Sequence, residues 1–341
     1  MPNPARKVAR RVKHMLTRDI SDSLDSLEQR IGGMDEAIRH TQLDINHNQT
    51  TILNRINDHV KNSGTLVLSE SLMLTKIFSG LKIYTDPRDV AVAPHLALDT
   101  IWEHQITSAW LAVVKPTDTV IDIGANFGYF GALAAQNSDK KHSKVVFFEA
   151  NPHLIPYLKK TLAVNWLNEQ SVIENLAVAD KAGTVTLNLL EDYIGSSSIQ
   201  TAEQLDAYMH DKMYLETKEK IDVKAVSLDD YCKTHGISTI DLIKMDIEGY
   251  EEIAYRGMRK IIKASPNATI FIEFTKEGYE DPKGFYAQLL KDFGNVYLIT
   301  EDGYIEKSKD TTYETVIGAS DDWVMPIFSK NPNLATRTRG N

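Results

Sequence analysis

The sequence predicts an α/β sheet domain after about residue 110, with a separate helical arm ahead of it, and three observations lead there. From Thr119 onward, short runs rich in Val, Ile and Phe alternate with longer amphipathic runs, the pattern of strands and helices laid down in turn. One apolar run, Thr119-Val-Ile-Asp-Ile123, ends in Gly124-Ala-Asn-Phe-Gly128 and passes straight into a helical run, so a strand, a tight turn and a helix follow one another. Ahead of these, apolar residues from Leu24 to Ile52 recur at seven-residue spacing, as in a helix that buries one stripe.

Composition narrows the field. The 341 residues carry 38 Lys and Arg against 47 Asp and Glu, a net charge of −9, whereas a nucleic-acid binder needs a basic surface to neutralise phosphates. No nucleic-acid partner is therefore expected. Cys232 is the single cysteine and can form no internal disulfide, which fits a reducing, cytoplasmic location. No apolar run approaches the roughly 18 residues of a membrane span, and the basic N-terminus lacks the apolar core of a signal peptide.

Residues 1–62 form the predicted arm. Its head holds Arg6, Lys7, Arg10, Arg11, Lys13 and Arg18 with no acid among residues 6–18, and reads either as a solvated tail or as a contact for anionic lipid or an acidic partner. Leu24, Ile31, Ile38, Ile45 and Ile52, with Leu27 and Met34 between them, predict a coiled coil and a homo-oligomer through residues 20–56. The same stripe would serve a helix pair lying on its own subunit. Gly32 and Gly33 each cost about 1 kcal/mol in a helix interior, and the later intervening positions are Thr41, Asn48 and Arg55, so an interrupted zipper is expected.

Residues 63–110 read as a helical transition segment, and residues 111–330 as the sheet domain. Its expected strands are Thr119-Ile123, Lys144-Phe148, Val172-Val178, Thr184-Leu189, Asp222-Ala225, Ile240-Met245, Thr269-Phe274, Asn295-Thr300 and Asp322-Phe328. Helices are expected at Gly128-Gln136, Pro152-Trp166, Leu228-Thr234, Gly249-Lys263 and Lys283-Asp292. An insertion over the site, or a plain surface loop, is expected from about Ser196 to Lys220, and a disordered polar tail at 331–341.

The glycine turn is where a ligand should sit, because the backbone can approach closely and the helix start offers free N–H groups. No Gly-Lys-Ser/Thr follows, which excludes a P-loop, and Asn126 stands where a dinucleotide fingerprint wants glycine. Asp122 is placed for the ammonium of an amino-acid-like ligand, and Glu149, ending the second strand, for two ribose hydroxyls. Together they point to S-adenosylmethionine, which has a ribose and an amino acid but no phosphate. Asn175 and Ala177, at the third strand, lie beside the expected adenine, where ordinary turn chemistry explains them equally well. Lys244, Asp246, Glu248 and Glu251 crowd the end of another apolar strand. Period two puts the first three on one face, and burying charge there is costly unless the groups are paired or functional. Glu251 reads as a favourable first-turn acid. His104, His153, His210 and His235 have no zinc-site spacing, and Cys232 reads as a helix residue.

The chain resembles the FkbM family of S-adenosylmethionine-dependent methyltransferases through VIDIGANFGYFG at 120–131, FFEANP at 147–152, NLAVAD at 175–180, SLDDY at 227–231, IDLIKMDIEGYE at 240–251 and IEF at 272–274. That resemblance implies a class I methyltransferase (Rossmann-like) fold, a seven-stranded, mostly parallel sheet with one antiparallel strand, and O-methylation of hydroxyls on sugars, glycans or polyketides. It implies that Asp122, Gly124, Ala125, Asn126 and Gly128 line the methionine and ribose side, that Glu149 and Ala150 hold the ribose, and that Asp246 and Glu248 face the acceptor. Trp102-Glu-His104 resembles a family pair that closes over the cofactor, which makes Glu103 a contact. For the chemistry, either Asp246 acts as a general base tuned by Lys244, or Asp246 and Glu248 hold Mg²⁺; the positive Lys244 favours the metal-free route. The expected acceptor is a sugar or glycan, with a polyketide as the alternative. A coiled-coil scaffold and a non-catalytic S-adenosylmethionine-binding regulator are the readings outside enzymology.

Overall fold

The computed structural model describes residues 33, 64–141, 143–190, 194, 217–276, 279–318 and 323–334. The basic residues 6–18, the heptad stripe at 20–56, His210 with most of the 196–220 insertion, and residues 335–341 lie outside the described residues.

Within the compact unit Val60–Asn341, the chain opens with β1 (Thr65–Ser69), β2 (Leu72–Lys76) and β3 (Lys82–Thr85), an antiparallel meander. The segment expected to be helical is therefore strand in its first part. Period two decides it: Met73 and Thr75 in β2, and Ile83 and Thr85 in β3, are buried while their neighbours are not. Two helices follow, α1 (Val92–Asp99) and α2 (His104–Val113). Then come β4 (Thr119–Ile123), α3 (Tyr129–Asn137), β5 (Lys144–Phe148), α4 (Ile155–Val164), β6 (Ser171–Glu174), β7 (Ala177–Val178), β8 (Gly183–Leu190) and β9 (Thr217–Val226). The chain continues through α5 (Leu228–Thr234), β10 (Leu242–Met245), α6 (Glu251–Arg256), α7 (Arg259–Ala264), β11 (Thr269–Ile272), α8 (Pro282–Phe293), β12 (Asn295–Ile299), β13 (Ile305–Lys307), α9 (Tyr313–Val316) and β14 (Ile327–Ser329).

The main sheet runs β13-β12-β14-β11-β10-β4-β5-β6 and has eight strands where seven were expected. The extra strand is β13, brought antiparallel to β12 by a turn in which Gly303 N–H donates to Thr300 O at 2.8 Å. Since β14 also opposes both its neighbours, two strands rather than one run against the rest. Strands β7, β9 and β8 form a second, smaller sheet, so the expected strand Val172-Val178 breaks at Asn175 and is shared between sheets. The expected helix Gly249-Lys263 likewise divides in two at Gly257, whose carbonyl accepts from Asp229 N–H at 2.9 Å. Lys220, expected at the end of the insertion, already lies in β9.

Both faces of the main sheet are buried, which is why its central strands read as continuous apolar runs. Val120, Phe147, Leu242 and Phe271 face Leu96 of α1, Trp110 of α2, Phe130 of α3 and Leu158 of α4. Ile121, Val146, Ile243 and Ile270 face Tyr231 of α5, Tyr255 of α6, Ile262 of α7 and Leu289 of α8. The tail packs further than expected: Leu334 is buried, and Tyr297 Oη donates to Asn331 O at 2.8 Å. No helix among the described residues is long and apolar enough to cross a membrane.

Trp110 centres the first layer. It is fully buried, meets Phe130 and Phe271 edge-on, and donates from Nε1 to Phe130 O at 3.1 Å. Trp110→Ala should cost about 3–5 kcal/mol of unfolding free energy in chemical denaturation, chiefly from the cavity left between α2 and the sheet. Trp110→Phe should recover part of it.

Candidate active site

Parallel strands that end together bring their last side chains to one edge. Met245 pairs with both Ile123 and Ile272, and Ile123 with Phe148, so the next residues on these four strands are Glu149, Gly124, Asp246 and Glu273. The ladder carries on through them: Asp246 N–H donates to Ile123 O at 3.1 Å, and Glu273 N–H to Met245 O at 2.9 Å. With strands roughly 4.8 Å apart, Glu149 and Glu273 stand about 14 Å from one another across this edge. Between them Gly124 presents no side chain, and a Cβ there would lie 1.9 Å from Asp246 O.

The turn after β4 is held open from behind. Gly124 and Ala125 both donate their N–H to Phe148 O at 3.0 Å, and Gly128, with φ of +88°, turns the chain into α3. Glu149 Oε2 accepts from Asn126 N–H at 2.6 Å and Oε1 from Asn151 N–H at 2.8 Å. The Ala150 N–H is a third backbone donor to the same carboxylate, which leaves at least one of its four acceptor directions for a ligand. Burial raises the Glu149 carboxyl to about 7 despite these hydrogen bonds.

One residue inward on the same face lie Asp122 and Lys244, directly paired across β4 and β10. Asp122 Oδ2 accepts from Gly131 N–H at 2.8 Å, so the first turn of α3 closes over it, and burial lifts its carboxyl to about 6. Lys244 Nζ is 2.7 Å from Asp246 Oδ2 and 4.6 Å from the centre of the Phe130 ring. Burial works against its charge, but Asp246, Glu103 and Asp122 outweigh that and hold the ammonium above its ordinary value. Lys244 and Asp246 thus share a face as expected. Glu248 does not continue it, because β10 ends at Met245 and the backbone at 248 turns left-handed.

Glu103 arrives from the start of α2 with φ of +44°, and its Oε2 is buried with no hydrogen-bond partner. Burial raises its carboxyl to about 7, against the pull of Lys244. With Asn126 and Glu248, it is one of three acceptor- or ligand-side candidates whose non-glycine backbone has positive φ, a conformation that costs of order 1–3 kcal/mol each. Strain of this kind collects where geometry is dictated by more than local preference.

Other candidates are spent elsewhere. Asn175 Nδ2 donates to Glu149 O at 2.8 Å and to Ala150 O at 3.0 Å, tying the third strand to the second. Ala177 belongs to the small sheet and packs with Leu187 and Val223, with Ala150 against that cluster. Glu251 stands in the first turn of α6 as expected, and does more: its Oε1 accepts from Ile247 N–H at 2.8 Å and Gly249 N–H at 3.4 Å, while Tyr279 Oη donates to Oε2 at 3.0 Å. Glu251 therefore fixes the loop that carries Asp246 and Glu248. Glu273 was passed over in the sequence, although an acid at the end of the apolar run Thr269-Ile-Phe-Ile carries the same signal that marks Glu149. Among the described residues, no group of three or more His, Cys, Asp or Glu is placed to hold a metal ion. Cys232 is buried in α5 with its thiol pushed up to about 12 by burial, and is no nucleophile.

The methyltransferase FkbM domain matches residues 122–305. The chain is 25% identical over 166 residues to the 31-O-demethyl-FK506 methyltransferase FkbM of Streptomyces tacrolimicus, covering 42% of this chain and 61% of that protein. It is 26% identical over 156 residues to methyltransferase sdnD of Sordaria araneosa, covering 41% of this chain and 60% of that protein. The chain thus spans about three fifths of the length of these relatives. Among solved structures, methyltransferase FkbM from Methylobacillus flagellatus is similar over 63% of this chain and 44% of that one, at 15% identity and a TM-score of 0.38. The matched domain takes in more than half of the sequence, and the chain belongs to the FkbM methyltransferase family.

Proposed function

We propose that this protein is an S-adenosylmethionine-dependent O-methyltransferase whose acceptor is a hydroxyl of a sugar or glycan. One observation carries the reading: a ribose-type acid, a side-chain-free turn and a charge-paired acid stand in a single row at the sheet edge. The fit to the donor is specific. Glu149 offers a carboxylate with acceptor capacity left, Gly124 lets the turn lie against the Asp246 backbone without a side chain between, and Glu103 brings an orphaned carboxylate oxygen beside Lys244 and Asp246. S-adenosylmethionine supplies a methyl group on a sulfonium, which is already a good leaving group. The chain's own tasks are to align the acceptor oxygen and to dispose of its proton.

Glu149 accepts the ribose hydroxyls, and Asn126 N–H holds its carboxylate against the turn that follows β4. Asp122 secures the first turn of α3 behind the turn. Asp246, a quarter exposed, meets the acceptor hydroxyl while Lys244 holds its other side. The pairing with Lys244 favours this metal-free arrangement over Mg²⁺ held by Asp246 and Glu248, because an ammonium 2.7 Å away repels a cation at the same carboxylate. A second acceptor reading, a polyketide hydroxyl, is favoured by the reaction in the name of the Streptomyces relative. Assembly through residues 20–56, a cytoplasmic location and a membrane or partner contact through residues 6–18 complete the proposal. Sedimentation of the full chain as a monomer would remove the assembly.

The roles separate by calorimetry and turnover. Glu149→Ala should abolish binding of S-adenosylmethionine and S-adenosylhomocysteine, whereas Asp246→Ala should bind both and lose about a hundredfold or more in methyl transfer to whichever sugar in a panel the wild type accepts. A wild type that binds neither would end the methyltransferase reading.

Cofactor affinity should also depend on pH. Ribose hydroxyls donate to the charged form of Glu149, whose carboxyl sits near 7, so protonation competes with binding below that value. The dissociation constant for S-adenosylhomocysteine should fall as pH rises through about 7 and then level off, and in Glu149→Gln this dependence should vanish.

A further inference from the structure

Resting on the methyltransferase reading, we infer that Glu273, at the end of β11, takes the acceptor proton during methyl transfer, while Asp246 orients the hydroxyl that gives it up. Glu273 is the far member of the edge row, beyond Asp246 as counted from Glu149. A donor whose ribose lies at Glu149 carries its sulfonium one methylene further on, toward Gly124, so that its methyl group faces the side of Asp246, with Glu273 next in line.

The two acids are not equivalent. Asp246 already has Lys244 Nζ at 2.7 Å, so its Oδ2 is engaged and its charge has a partner within the site. Glu273 is 8% exposed, and its Oε2 is buried without a partner. Its neighbours are Asp246, Glu248 and Glu251, with Lys244 as the one balancing cation; burial first, and then these acids, push its carboxyl well above the ordinary range. Its backbone is fixed: the N–H is in the ladder with Met245, and Tyr279 Oη stands 3.0 Å from its carbonyl oxygen.

The step balances within the site. The acceptor O–H bond breaks and its proton passes to the Glu273 carboxylate; the oxygen forms the new O–CH₃ bond; the S–CH₃ bond breaks and its electron pair stays on sulfur. One positive and one negative charge disappear together, leaving a thioether and a carboxylic acid. Repulsion between Glu273 and its acidic neighbours is thereby relieved in the transition state and not in the ground state, which is the condition for catalysis.

Sinefungin, an analogue with an amine where the donor has its transferable methyl, probes the position of this carboxylate, and S-adenosylhomocysteine serves as the reference that lacks the group. In calorimetry, Glu273→Gln should bind S-adenosylhomocysteine as the wild type does and lose roughly tenfold or more in sinefungin affinity, as expected for a close charge pair out of bulk water. Wild-type affinity of Glu273→Gln for both ligands would overturn the inference, and so would an equal loss for both, which would mark Glu273 as structural. Failure of the wild type to bind S-adenosylhomocysteine at all would instead sink the methyltransferase reading.

Discussion

The Lys244 ammonium is the one buried cation among the described residues, and the arrangement of the sheet edge follows from it. An ion taken from water into a protein interior loses several kcal/mol of solvation unless partners replace it. Here the replacements come from three elements that are remote in sequence: Glu103 at the start of α2, Asp122 in β4 and Asp246 after β10. The face of Phe130 covers the ammonium from α3. Such a centre cannot be built piecemeal, since each carboxylate alone would be a buried charge and would take up a proton. Burial still raises the carboxyls of Glu103 and Asp122 even with the cation beside them.

From that centre outward, geometry does the rest. Alternation in β4 and β10 aims Asp122 and Lys244 into the layer beneath α3, and the next residues on the same face reach the open edge. Glu251 and Tyr279 hold the loop that follows β10, and Glu149 holds the turn that follows β4 through the Asn126 N–H. The left-handed backbones at Glu103, Asn126 and Glu248 are strains that such bonding sustains. A donor bound at Glu149 and an acceptor near Glu273 would then meet over Gly124, the position that has no side chain.

Much of this was legible in the sequence where local pattern and environment agree. The strands Thr119–Ile123 and Lys144–Phe148 fall where the apolar runs put them, because both of their faces are buried. Glu149 stood out as an acid ending such a run. The meander at 65–85 did not, because β1 exposes Leu66, Val67 and Leu68 together, so its residues show neither a helical stripe nor an alternating one. The strand Gly183–Leu190 was legible, but its departure into a separate sheet was not, since the choice of partner is made by residues far along the chain. Glu273 ends an apolar run as Glu149 does, but no glycine turn follows it to mark a ligand edge, and the run alone does not tell a site acid from a solvated one. Only the register with Asp246 and the missing partner at Oε2 do so.

Stability against pH in Lys244→Met addresses the centre most directly. Removing the cation strands the carboxylates around it, which should cost about 3–5 kcal/mol near neutral pH by chemical denaturation. The sign of the pH dependence is fixed. Carboxyls raised in the folded state bind protons that the unfolded chain releases near pH ~4.5, so stability is greatest below that point and is lost as pH rises through the folded values. Without Lys244 those values move further up, so the gap between variant and wild type should stay level up to about pH 6 and then widen toward about pH 8, as Asp122 and Glu103 of the wild type ionise while those of the variant keep their protons. A gap that stays constant with pH, or no gap, would contradict the account, for it would mean that the ammonium does not hold the acids of the edge in their charged forms.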